Sequence, residues 1–178
     1  MSTRAMIGYK NPTTGKITGV YSHFDGYETG LGLNLMKFYP GTQGAIHLID
    51  GGSISQITWE TGQPYYYAQR GSWRTWNEVD KCYDAEAGED EAWKDVKPQA
   101  YKGLIDFIDT LNGDNMIEFM YLYDEGKWRG FKSDYKSNVV QEFEMDQEKF
   151  QKARDQEKTY PKVKIIETYT LPKIKEVA

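Results

Sequence analysis

His23 and Asp25, two residues apart in the stretch YSHFDGYETGLG (residues 21–32), are the side chains of this sequence best suited to acid–base or metal chemistry. In an extended segment, residues i and i+2 point to one face. An imidazole and a carboxylate placed that way form a base with its orienting acid, or two ligands of a metal. A metal needs at least a third ligand, and the other imidazole, His47, falls on a separate predicted helix, so no metal is expected. A plainer alternative is a strand-to-helix corner in which Asp25 accepts backbone N–H bonds and His23 is at least half buried beside it. Gly26, Gly30 and Gly32 add a further possibility, since backbone amides at such a corner can face an anion. Their spacing matches neither a P-loop nor a dinucleotide fingerprint, and no cofactor is expected.

A second concentration lies at YYYAQRGSWRTW, residues 65–76. Arg70 and Arg74 are fork-shaped donors for phosphate or carboxylate. Tyr66 and Trp73, with their aromatic neighbours, offer faces on which a nucleobase can stack. The competing account is a half-buried strand whose arginines pair with the acids at 78–95. No Ser-His-Asp order, G-x-S-x-G or HExxH pattern occurs, so no catalytic residues are assigned.

The elements that must position these residues follow from periodicity. Alternation over Arg4–Lys10 and Lys16–His23 around NPTTGK predicts an opening β-hairpin. Leu31 to Tyr39 predicts a helix ended by Pro40 and Gly41, and Gly44 to Asp50 a second one stopped by Gly51 and Gly52. SISQITW and PYYYAQR predict extended segments, PQAYKGLIDFIDTLN a helix opened by Pro98, and MIEFMYLYDEGKWRGFK a hairpin turning at DEGK. QEFEMDQEKFQKARDQEK predicts a charged amphipathic helix, and KVKIIETYTL a final strand. Strands and helices do not alternate regularly, which favours an α+β fold with a mainly antiparallel sheet and packed helices over a doubly wound one. At 178 residues a single domain, 1–178, is expected.

Net charge is −5, yet residues 78–95 hold eight acids against two lysines, leaving about +1 for everything else. That balance disfavours sequence-independent nucleic-acid binding. The single Cys82 allows no internal disulfide and sits among acids that oppose a reactive thiolate. No apolar run approaches the roughly 18 residues of a membrane span, and MSTRAMIGYK lacks a signal-peptide pattern, so the bacterial cytosol is the expected location once the setting below is included.

STRAMIG (2–8), GVYSHFDGY (19–27), GLNLMKFY (32–39), LIDGGSIS (48–55) and FMYLYDEGKW (119–128) together resemble a group of small bacteriophage and prophage proteins with a Ser-Thr-Arg start and a His-Trp-Asp-Gly-Tyr box. Here Phe24 stands in place of the tryptophan and Glu28 in place of a common proline. The resemblance covers residues 1–135 and leaves 136–178 as an extension. It implies a phage accessory gene product acting in the host cytoplasm and assigns no reaction.

The expectation drawn from these features is a counter-defence protein that binds and sequesters a nucleotide-type host immune signal without catalysis. His23, Asp25, Tyr27, Tyr66, Arg70, Trp73 and Arg74 would line the site, and the chain would form a homodimer or higher homo-oligomer through its terminal strand. One alternative is an inhibitor that turns the acids of 78–95 against a host nucleic-acid-binding defence protein. Another is a phosphodiester hydrolase using His23 and Asp25.

Overall fold

The computed structural model describes residues 2–69, 76–77, 82–83, 96–112, 116–134 and 138–171. Arg70, Trp73, Arg74 and most of the acidic stretch lie outside them. The opening hairpin forms as its pattern requires: β1 (Arg4–Lys10) and β2 (Ile17–Ser22) pair antiparallel, with Asn11 Oδ1 accepting from Thr13 and Thr14 in the turn. The second hairpin, β8 (Ile117–Asp124) and β9 (Lys127–Asp134), turns at Glu125 and Gly126, both at positive φ. β1 and β8 then pair parallel, joining the two hairpins at the centre of the sheet.

Outward from β9 come β10 (Val139–Phe143) and β11 (Ile165–Thr170), and outward from β2 come β3 (Ile54–Ile57) and β4 (Pro64–Tyr66), giving the order β11-β10-β9-β8-β1-β2-β3-β4. β3 meets β2 parallel, and only at Ser22 opposite Ile54. The other end of that β2 edge is taken by β7 (Gln99–Tyr101), antiparallel along Ile17–Gly19. The sheet is nine-stranded and mostly antiparallel, and with its packed helices the fold is α+β. Trp76–Asn77 (β5) and Cys82–Tyr83 (β6) pair separately.

Both faces of the sheet are covered. Ala5, Ile7, Phe119, Tyr121 and Tyr123 pack under α1 (Leu33–Phe38), α2 (Thr42–Asp50) and α4 (Gln147–Asp155), through Leu35, Leu48, Ile49 and Phe150. Met6, Met120, Leu122 and Phe131 face α3 (Leu104–Ile108) and the 3-10 turn that follows it, through Phe107, Ile108 and Leu111. Alternation along β8 therefore separates two cores instead of core from solvent. Between Arg4 and Ala5 the register slips, so that Ile117 and Phe119 oppose consecutive residues of β1. The extra residue, Glu118, is a β-bulge, and it moves Ile117 onto the Met120 face.

Three segments depart from their expected form. Gln99–Tyr101 is a strand, not the first turn of a helix, because the edge of β2 is open to it; the helix starts after Gly103, where Asp106 Oδ2 accepts from the Lys102 N–H. Gln141–Phe143 belongs to β10, and α4 begins only after Asp146, whose carboxylate accepts from the Lys149 N–H at 3.0 Å. The helix expected from Leu31 is preceded by a π-helical turn, Glu28–Gly32.

Candidate functional site

The corner after β2 is built by backbone contacts. Its N–H groups at His23 and Phe24 donate to the carbonyls of Ile54 and Ser55, which draws the chain out of β2 alongside β3. Asp25 adopts φ 57°, a left-handed conformation that aspartate tolerates better than most residues. Gly26 N–H then donates to Thr3, and a Cβ at Gly26 would lie 2.7 Å from the Thr3 carbonyl oxygen. A Cβ at Gly30 would lie 2.3 Å from the Asp25 carbonyl oxygen. These glycines serve close backbone approach, not an anion: Gly30 and Gly32 donate to the Tyr27 carbonyl, and Leu31 to that of Asp25.

The expected pairing of His23 with Asp25 does not form. His23 Nδ1 is hydrogen-bonded to the Tyr21 hydroxyl, while Asp25 Oδ1 accepts from the Tyr27 hydroxyl at 3.0 Å. The left-handed turn at Asp25 breaks the strand alternation that would have put both side chains on one face. Burial, with Arg4 nearby, holds His23 below its ordinary pKa, so it favours the neutral imidazole. Among the described residues the Asp25 carboxylate is not a cap either, because it takes a phenol and no backbone N–H.

Tyr27 and Asp25 face a cavity of about 440 Å³ whose wall also includes Arg4, Glu118, Met116 and Tyr160. Burial first, and then the Asp25 carboxylate, push the Tyr27 phenol up to about 12, so it remains a donor at any physiological pH. Tyr160 stands edge-on to Tyr27 and stacks on Phe119, and it is 62% exposed. One face of the ring is thus held by protein while much of the side chain meets solvent.

The C-terminal arm fastens this wall. Arg154 at the end of α4 donates to the carbonyls of Thr29 and Gly30 and to Asn34 Oδ1, at 2.7, 3.1 and 2.8 Å. Thr29 Oγ1 donates to the Thr159 carbonyl at 2.6 Å. The guanidinium fork gives the Thr29 carbonyl a charged donor and adds a second one to the Gly30 carbonyl, which already accepts from the Leu33 N–H. Arg154 and Thr159 are therefore part of the corner, a role hidden in the sequence because Arg154 sits in a run that reads as a solvated helix.

Tyr66 plays a packing role. Its hydroxyl donates to the Leu48 carbonyl at 2.8 Å, its ring lies against Gly51, and burial raises the phenol to about 12. His47 is exposed on α2, and no cluster of three or more metal-ligating side chains occurs among the described residues. Sequence reasoning also missed Glu28. It is 2% exposed, Oε1 has no hydrogen-bond partner among the described residues, and burial raises its carboxyl to about 7. A second cavity of about 320 Å³, beside Trp128 and Met145, contains Arg129 and Glu142, but these bind each other through two hydrogen bonds.

No helix of the described residues is long and apolar enough to cross a membrane. Comparison with protein-family models, curated proteins and solved structures finds no match to this chain.

Proposed function

We propose that the protein binds a nucleotide-type small molecule without transforming it, holding the base in the cavity between Asp25, Tyr27 and Tyr160. The observation that carries this reading is the combination in one concave site of an exposed, protein-backed aromatic ring with the carboxylates of Asp25 and Glu118. Aromatic faces take any base by stacking, and carboxylates accept from its ring and exocyclic N–H groups. The cavity volume falls in the range of small-molecule sites. Arg4 supplies a positive charge at the same wall. The wider setting, a phage accessory protein that sequesters a host signal in the bacterial cytosol, rests on the sequence resemblance of residues 1–135.

Separation of His23 from Asp25 weighs against the hydrolase alternative, since a base without its orienting acid loses the geometry that general-base catalysis needs. Isothermal titration against cyclic dinucleotides, ADP-ribose derivatives, nucleoside triphosphates and free nucleosides tests the proposal. Binding is expected for at least one of them, weakened about tenfold or more by Asp25→Asn or Tyr160→Ala. No heat from any member at high micromolar concentration overturns it.

A further inference from the structure

A third cavity, of about 600 Å³, also has Tyr160 in its lining. Its charged lining is all of one sign: Lys149 and Lys152 from α4, Lys158 just beyond the helix end, and Lys162 and Lys164 on the segment leading into β11. No carboxylate lines it. Among the described residues none of the five ammonium groups has an ion-pair partner; the acids of the same helix, Glu148 and Asp155, line a different cavity, which Lys152 shares with Lys37.

Structural needs account for only part of this. A lysine in the last turn of a helix complements its dipole, which suits Lys152. α4 ends at Gln156, and Glu157 turns left-handed with φ 57°, so Lys158, Lys162 and Lys164 have no such role. Five like charges around one concavity repel one another, and they do so in a chain whose net charge is −5. Charge of one sign focused in a cleft attracts a ligand of the other sign.

We propose that this cavity binds the phosphate chain of a nucleotide bearing two or more phosphate groups, whose base lies across Tyr160 in the Asp25–Tyr27 cavity. Tyr160 is the shared wall that makes the two cavities one site. The inference rests on the base-binding reading above and adds the class of ligand: lysines are point-charge donors suited to phosphate oxygens, and several of them suit several phosphates. Nucleosides and monophosphates would leave most of the lysines unused.

The test is isothermal titration of the full chain with adenosine, guanosine, ATP, GTP, cyclic di-AMP and inorganic tripolyphosphate, at low and at high salt. It is repeated on Lys158→Gln/Lys162→Gln, whose side chains are exposed in the wild type and whose melting curve should be unchanged. A phosphorylated probe is expected to bind at least tenfold more tightly than its nucleoside, with most of that advantage lost at high salt and in the double variant. A nucleoside that binds as tightly as its phosphorylated form, with the variant unaltered, overturns the phosphate inference and leaves the base-binding reading standing. Tripolyphosphate that binds and is weakened by the variant, with every nucleoside and nucleotide silent, supports the lysine site and overturns the base-binding reading. Silence from all six probes overturns both.

Discussion

Arg154 lies with its guanidinium carbon 4.2 Å from the centre of the Trp59 ring, and from that stacked position it reaches the carbonyls of the Glu28–Gly32 turn. Cation–π stacking fixes the plane of the guanidinium, so that its N–H groups point at Thr29, Gly30 and Asn34 without a search. The arrangement links α4 to the corner that carries Asp25 and Tyr27.

Arg154→Ala is expected to destabilise the fold by about 2–4 kcal/mol, because it removes charged donors from carbonyls left in a half-buried site. Arg154→Lys should recover only part of the loss, since an ammonium cannot present a planar fork. Urea unfolding of the two variants checks both statements. Equal midpoints for wild type and Arg154→Ala would rule out the latch.

Glu28 makes stability fall as pH rises. Its carboxyl, raised to about 7 by burial, is partly stabilised by its own backbone N–H; the nearby groups are Lys132 and the buried phenol of Tyr121. The folded protein holds this proton more tightly than the unfolded chain does. The contribution is therefore complete below the ordinary glutamate pKa and is lost as pH climbs through about 7. Relative to wild type, Glu28→Gln should gain up to about 3 kcal/mol at pH 8 and at most about 1 kcal/mol at pH 5. A stability difference that does not change with pH would refute the assignment.

Glu142 carries the opposite sign. Burial alone would raise its carboxyl, but two hydrogen bonds from Arg129 and one from Tyr169 outweigh that and hold it below the ordinary glutamate value. Its contribution is present above the ordinary glutamate pKa and is lost as pH falls through the depressed one. Glu142→Gln should cost about 2–4 kcal/mol at pH 7, leaving Arg129 with one carboxylate partner, Asp124, beside the Tyr169 hydroxyl, and much less at pH 3. Chemical unfolding at the two pH values measures the difference, and a cost that grows on acidification would contradict it.

Among the described residues β11 ends the sheet, paired to β10 along one side, with Ile165 and Ile166 37% and 50% exposed. An open edge with apolar side chains is a template for another strand. A dimer through β11 is the expected state in solution, and Ile166→Lys should dissociate it. Light scattering that returns one monomer mass for the wild type across a wide concentration range would exclude the dimer.

The α+β class and both hairpins were legible because their signals are local: NPTTGK and DEGK are turns flanked by alternating residues, and both turn where expected. Gln99–Tyr101 was not, since its helical spacing is real and only the vacant edge of β2, distant in sequence, makes it a strand. At the candidate site, Asp25 and Tyr27 were legible as a polar corner, but their neighbours Arg4, Glu118 and Tyr160 come from far along the chain. Charge runs conceal a shared cavity for a related reason. Lys149 to Lys164 look like a solvated helix and tail until the turn at Glu157 folds them around one hollow.

The parallel pairing of β1 with β8 sets a timetable for biosynthesis. Arg4–Lys10 can fold with Ile17–Ser22 as soon as both have left the ribosome, yet its other neighbour is Ile117–Asp124. At ordinary elongation rates of about 5–20 residues per second, that partner follows on the order of ten seconds later. For that interval the central strand of the finished sheet is an edge, with Ala5, Met6 and Ile7 uncovered. The nascent chain therefore passes through a stage in which a strand from the buried middle of its sheet is an adhesive edge, and the yield of folded protein depends on how that interval is shielded.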